Sequence, residues 1–168
     1  TGATGFVGGA LSRHLVGNGH SVRALIRSHH DPARLSALGI EPIRGDLLDP
    51  GTLDAAVQGV EGVFHVAANY TFWARDVATI YDANVGGTNA LLEAAGKAGV
   101  ERFVFTSSVG TLRMLPGGQL ADGSFLASAD QLADDYHRSK LLAEQAALAA
   151  NGGGMEVVVV SPTTPIGP

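Results

Sequence analysis

Short runs of apolar and β-branched residues alternate along this chain with longer stretches in which apolar positions recur every three or four residues. Residues 21–26 (SVRALI), 40–43, 63–67, 102–106 (RFVFT) and 155–160 (MEVVVV) are of the first kind. Their near-continuous apolar character suits strands covered on both faces, as in a parallel sheet. Residues 6–16 are of the second kind and predict a helix with Val7, Ala10, Leu11, His14 and Leu15 along one face. Asp31-Pro32 reads as an N-cap followed by proline at the first helical position, and Gly39 ends that helix. Residues 76–98 predict a helix ended by Gly99, and residues 134–150 another ended by NGGG.

Strict alternation of this kind predicts βαβ units with right-handed crossovers, and so an α/β fold with an open, doubly wound parallel sheet. One domain over residues 1–168 is the expected organisation. Residues 115–131 (LPGGQLADGSFLASADQ) are turn-rich and aperiodic, which predicts a surface loop bordering the carboxyl end of the sheet. No repeat of fixed period is present.

Composition narrows the function classes. The 168 residues carry a net charge of −5, with 45% apolar and 16% charged residues and a mean hydropathy of +0.17. Lys97 and Lys140 are the only lysines, so neither a nucleic-acid partner nor an anionic membrane surface is expected. The absence of cysteine excludes disulfides and thiolate metal sites and is compatible with a cytoplasmic setting. No apolar run, residues 157–160 included, is long enough to span a bilayer. His29 and His30 are expected to diverge as neighbours on an extended or turn segment, and with no third ligand evident they predict no metal site.

The chain opens with TGATGFVGG, in which Gly2, Gly5 and Gly8 precede a predicted helix. Unpaired N–H groups and the helix dipole favour an anion there, so the stretch is a candidate pyrophosphate loop. Gly2 would permit the tight turn, Gly5 the approach of a phosphate, and Gly8 close packing. Thr4, Phe6 and Val7 lie in the same candidate loop. The next strand ends at Ile26-Arg27-Ser28, where an acidic residue would suit the ribose of NAD. Arginine suits a 2′-phosphate, so Arg27 points to NADP(H) over NAD(H), the alternative being a solvated surface arginine. Asp46, in Gly45-Asp46-Leu47, either accepts from an adenine amino group or serves as a turn residue.

Tyr136 and Lys140, in YHRSK, lie four apart and therefore adjacent on one helical face. A neighbouring ammonium and an oxidised nicotinamide would both lower the tyrosine from its ordinary value near 10, making it a candidate acid/base for proton exchange during hydride transfer. The alternative is an exposed helical pair. Ser108, at the end of FVFTSS, falls where doubly wound folds bind ligand and could hydrogen-bond the reacting oxygen. Its alternative is local backbone capping.

TGATGFVG, GDLLD, VFHVAA, NVGGTNALLEAA, FVFTSSVGTL, YHRSK and SPTTPIGP occur in order along essentially the whole chain. Together they resemble the extended short-chain dehydrogenase/reductases, that is, the NAD-dependent epimerase/dehydratase family. The nearest look is to the dihydroflavonol-4-reductase-like branch and, within it, to the hopanoid-associated sugar epimerases. The resemblance implies roles: Tyr136 as acid/base, Lys140 as its electrostatic and ribose-binding partner, Ser108 as the group orienting the substrate oxygen, and Asn84 as the tetrad asparagine. It also implies cofactor contacts from Asp46 and Leu47, from Val66, Ala67 and Ala68, and from Pro162 and Thr163. His65 is expected to be a packed, hydrogen-bonded strand-end residue, and Trp73 to pack rather than touch substrate.

Three functions remain open on these residues. One is an NADP(H)-dependent oxidoreductase acting on a ketone or alcohol. Another is a nucleotide-sugar epimerase with tightly held NAD(P) and no net redox change. The last is a non-catalytic NADP-binding redox sensor, a class expected to lose the Tyr–Lys pair. The family pattern also implies a preceding first strand and a following substrate domain, so the chain reads as a fragment, with a homodimer an option for the full-length protein.

Overall fold

The structure, a computed structural model, describes residues 1–71, 75–113, 117 and 126–167. Helix α1 (Phe6–Gly17) is followed by strand β1 (Val22–Ile26), α2 (Ala33–Ser36) and β2 (Ile40–Arg44). A 3-10 turn (Pro50–Thr52) then runs into α3 (Leu53–Val57), before β3 (Gly62–His65). Helix α4 (Ala78–Tyr81) continues through a π turn (Asp82–Gly86) into α5 (Gly87–Lys97) and β4 (Arg102–Thr106). After 3-10 turns at Val109–Thr111 and Ala129–Gln131 come α6 (Asp135–Ala149) and β5 (Glu156–Val160).

Every strand pair is parallel, with Val22 opposite Ile40, Gly62 opposite Arg102, and Arg102 opposite Glu156 opening the three registers. The strands fall into two groups, β1–β2 and β3–β4–β5. Among the described residues no strand joins β1 to β3, and the seam holds the first residues of the chain. Thr1 donates from its backbone nitrogen to the Phe64 carbonyl at 2.7 Å, and its hydroxyl accepts from the Ala67 N–H at 3.2 Å. Ala3 packs on the other side with Ala24, Ile26, Leu35 and Ile40.

The larger core forms on β3–β4–β5. Phe103 and Phe105 of β4 are fully buried with Leu53 and Val57 of α3, Leu91 and Ala95 of α5, and Ala143 and Ala147 of α6. Each fully buried aromatic of this kind contributes about 1.5–3 kcal/mol. Helix α1 differs from its apolar pattern: Gly8, Gly9 and Ser12 are its buried residues, while Ala10 and His14 are exposed. Close backbone packing, rather than side-chain burial, sets its orientation. Trp73 and most of the expected 115–131 loop lie outside the described residues.

Candidate active site

The ends of β1, β2, β3 and β4 open on a cleft of about 1140 Å³, a little above the usual range of about 300–1000 Å³ for small-molecule sites. It is lined by Gly2, Thr4, Gly5, Phe6, Val7 and Gly8 of the glycine loop, by Arg27, and by Asp46 and Leu47. Val66, Ala67, Ala68, Ser108, Tyr136, Lys140, Pro162 and Thr163 complete the predicted residues found there. Asn84 is the predicted residue that does not line it; it is 3% exposed, behind the wall.

The loop is packed as tightly as backbone allows. Gly2 has φ +79°, and a Cβ on it would stand 2.8 Å from the Ala67 nitrogen. A Cβ on Gly8 would stand 2.2 Å from the Gly2 carbonyl oxygen, so the helix start rests directly on the turn. Gly5, at the N-cap of α1, brings no side-chain cap, which leaves first-turn N–H groups for an anion. The residues of this cradle would fit a pyrophosphate group.

At the far end, Arg27 is exposed just past β1. Arg44, which the sequence reading passed over, holds this turn: its Nη1 donates toward the carbonyls of Arg27, Ser28 and His30 at 2.8, 2.9 and 2.7 Å. The His29 and His30 rings do not diverge; their centroids are 4.3 Å apart. Asp46 Oδ1 accepts from the Leu48 N–H at 3.1 Å, so the residue serves its turn while still lining the cleft.

Helix α6 carries the other end of the site. Its N-cap, Asp134, accepts from the His137 N–H at 2.8 Å and lies 2.7 Å from His137 Nδ1. Tyr136 is 7% exposed, with the Tyr70 ring edge-on at 4.9 Å. Burial pushes the Tyr136 phenol up to about 12, and Tyr70 and Asp134 act in the same direction. The protein's own groups therefore favour the neutral phenol, opposite to the expectation that the lysine would dominate. Lys140 is itself engaged with β4. Its Nζ donates to the Thr106 carbonyl at 2.5 Å and sits 4.2 Å from the centre of the Phe105 ring, and burial lowers it to about 8 against the raising effect of Glu144. Ser108 Oγ accepts from the Gly110 N–H at 3.2 Å, which leaves its proton free to be donated into the cleft.

Asn84 ties three segments together. Its Oδ1 accepts from the Asn69 N–H at 2.6 Å, and its Nδ2 donates to Ser139 Oγ at 2.9 Å and to the Asn69 carbonyl at 3.2 Å. It sits in the π turn, a local irregularity often found at functional sites. His65 is 1% exposed and hydrogen-bonded, as expected. Thr88 gives its proton to the Asn84 carbonyl at 2.6 Å, so His65 Nε2, 2.9 Å away, is assigned as a donor to Thr88 Oγ1. The Thr1 hydroxyl then donates to Nδ1 at 2.8 Å, and burial keeps the imidazole well below its ordinary value.

A parallel α/β fold with a glycine-rich cradle at its carboxyl end defines a nucleotide-binding domain of Rossmann type. Residues 1–168 match the model of the NAD dependent epimerase/dehydratase family, and the chain belongs to that family. A Synechocystis sp. relative, provisionally assigned as a dihydroflavonol 4-reductase, is 47% identical over the whole chain and 49% of its own length. The crystal structure of gox2253 matches with a TM-score of 0.90 and 42% identity, over 99% of this chain and 51% of that one. A short-chain dehydrogenase/reductase superfamily protein from Agrobacterium tumefaciens, solved with bound NAD, matches with a TM-score of 0.75 and 32% identity, over 95% and 47%. The chain thus spans about half the length of these relatives. No helix among the described residues is long and apolar enough to cross a membrane.

Proposed function

We propose that the protein is an NADP(H)-linked reductase that acts on a carbonyl of a small-molecule substrate, with Tyr136 as its acid. The observation that carries this reading is the convergence of Tyr136, Lys140 and Ser108 on the cleft into which the glycine loop opens. When bound, the nicotinamide would supply the hydride. Tyr136, kept protonated at neutral pH by burial, gives its Oη proton to the substrate oxygen as negative charge develops there. Ser108 donates a hydrogen bond to that oxygen. Lys140 supplies positive potential beneath it and holds ribose hydroxyls, while Asn84 sets the position of α6 through Ser139. Arg27 binds the 2′-phosphate in the turn that Arg44 shapes. The dihydroflavonol 4-reductase assignment of the Synechocystis relative supports the reductive direction.

In the full-length protein, Tyr136→Phe is expected to lower the rate of NADPH consumption with a ketone substrate by about 10²–10⁴-fold, while NADPH binding stays within about twofold because only one hydroxyl is lost. A variant that kept its turnover would refute the role. Interconversion of a nucleotide sugar without net loss of NADPH would instead identify an epimerase. Arg27→Ala should weaken NADPH about 10–100-fold and NADH little, the worth of a charge-assisted contact. Tighter binding of NADH than NADPH by the wild type would overturn the cofactor preference.

A further inference from the structure

Glu144 is a buried carboxylate outside the set described above. It is 3% exposed and lies one helical turn beyond Lys140 on α6, so that Tyr136, Lys140 and Glu144 follow one another at i, i+4 and i+8. Ser107 donates to its Oε2 at 2.5 Å, and Thr111 Oγ1 lies 2.8 Å from the same oxygen. Thr111 Oγ1 is also 2.7 Å from the Ser108 carbonyl, so its one proton is shared between that carbonyl and the carboxylate. Ser107 and Thr111 are 4% and 0% exposed. Among the described residues, none of the close ion pairs includes Glu144 or Lys140. A buried charge is costly without compensation, and here two opposite ones stand on one helix with hydroxyls around the acid.

We propose that Glu144 is the positioning residue of the reductase site, fixing Ser108 at the cleft through Ser107 and Thr111 and keeping the neighbouring Lys140 ammonium charged. The proposal rests on the functional reading above for its meaning, not for its test. Ser107 and Thr111 flank Ser108 on either side of the 3-10 turn start, so anchoring both on α6 fixes the direction of the hydroxyl between them. Lys140 faces the Thr106 carbonyl and Phe105 ring of β4, neutral His65 of β3, and Tyr136 and Glu144 on its own helix. Glu144 is the anion of that set.

The test is an NMR titration of isotope-labelled lysine side chains in the full-length protein, with the Lys140 signal assigned by Lys140→Arg. The wild-type midpoint is expected near 8. Glu144→Gln keeps the shape and removes the charge, and should raise the Lys140 acid constant about tenfold, lowering the midpoint by about one pH unit; Glu144→Asp should restore much of it. A Glu144→Gln protein that melts lower with an unmoved Lys140 midpoint would overturn the proposal and leave Glu144 a packing residue. If Glu144→Gln does not fold, Thr111→Val takes one donor from the carboxylate, leaves its charge less screened and should raise the midpoint, with Thr111→Ser reversing it; a midpoint unmoved or lowered there also overturns the proposal. The titration needs neither substrate nor cofactor, so a failure of NADP(H)-dependent turnover would refute the functional reading alone.

Discussion

Replacing Lys140 with methionine should make the folded protein more stable at neutral pH while removing its activity. The ammonium is 3% exposed, with the Thr106 carbonyl as its acceptor and the Phe105 ring beneath it. Burial lowers the side chain from 10.5 to about 8, a gap of about 2.5 pH units from the unfolded chain. At 1.36 kcal/mol for each unit, holding the charge in the folded state costs about 3 kcal/mol near pH 7. Methionine removes that cost but leaves the Thr106 carbonyl without its donor, about 1–2 kcal/mol in the other direction, so a net gain of about 1–2 kcal/mol is expected. The pH dependence is the sharper test. Because the folded pKa lies below the unfolded one, the unfolded chain binds more protons between about pH 8 and 10.5. Wild-type stability therefore gains from this group as pH rises through that window, and the methionine variant has no such gain. In urea unfolding of both full-length proteins, the advantage of methionine should shrink by about 2 kcal/mol between about pH 7 and pH 9.5. An advantage that stays constant or grows with pH would refute the account of Lys140 as a buried, functionally retained charge.

Gly8→Ala would place a Cβ 2.2 Å from the Gly2 carbonyl oxygen; the loop must move, and NADPH affinity measured by fluorescence should fall at least about tenfold, the scale of one lost charge-assisted contact. Unchanged affinity would mean the loop is not the pyrophosphate cradle. Arg44→Ala releases the carbonyls of Arg27, Ser28 and His30 together and should weaken NADPH more than NADH in the same assay, whereas equal losses would separate this turn from 2′-phosphate recognition. Phe103→Ala, at a fully buried position, should cost about 3–5 kcal/mol in urea unfolding.

Where the chain follows simple hydrophobic periodicity, the elements were legible without coordinates. All five apolar runs form strands, their ends shifted by one residue at most except for β3, which stops two residues early at His65, because residues such as Phe103, Phe105 and Val157 have one burial solution in a covered sheet. Helix α3 was missed, although Asp49-Pro50 repeats the Asp31-Pro32 signature. It is one short turn with only Leu53 and Val57 buried, too little for a period to emerge. The face of α1 was misassigned for a different reason. Its packing depends on what Gly8 lacks, and a hydrophobicity pattern registers side chains only.

The residues the sequence failed to mark share a physical character that bears on how the site is built. Arg44, Asn84's partner Ser139, Ser107, Thr111 and Glu144 are polar groups that touch other polar groups of the protein. On a helix such as α6, serine, lysine and glutamate at i, i+1 and i+5 read as a solvated stripe, yet Ser139, Lys140 and Glu144 are all at most 3% exposed. Interleaved with them, Leu141, Ala143 and Ala147 enter apolar clusters. One helix therefore buries polar and apolar side chains next to one another. Periodicity averages over that mixture, which is why local rules fail where a site needs fixed dipoles and a retained charge. The same inconsistency makes Glu144 and Lys140 informative: a sequence selected for stability alone would fill those positions with apolar side chains, and the gain expected for Lys140→Met measures how far this one departs from that.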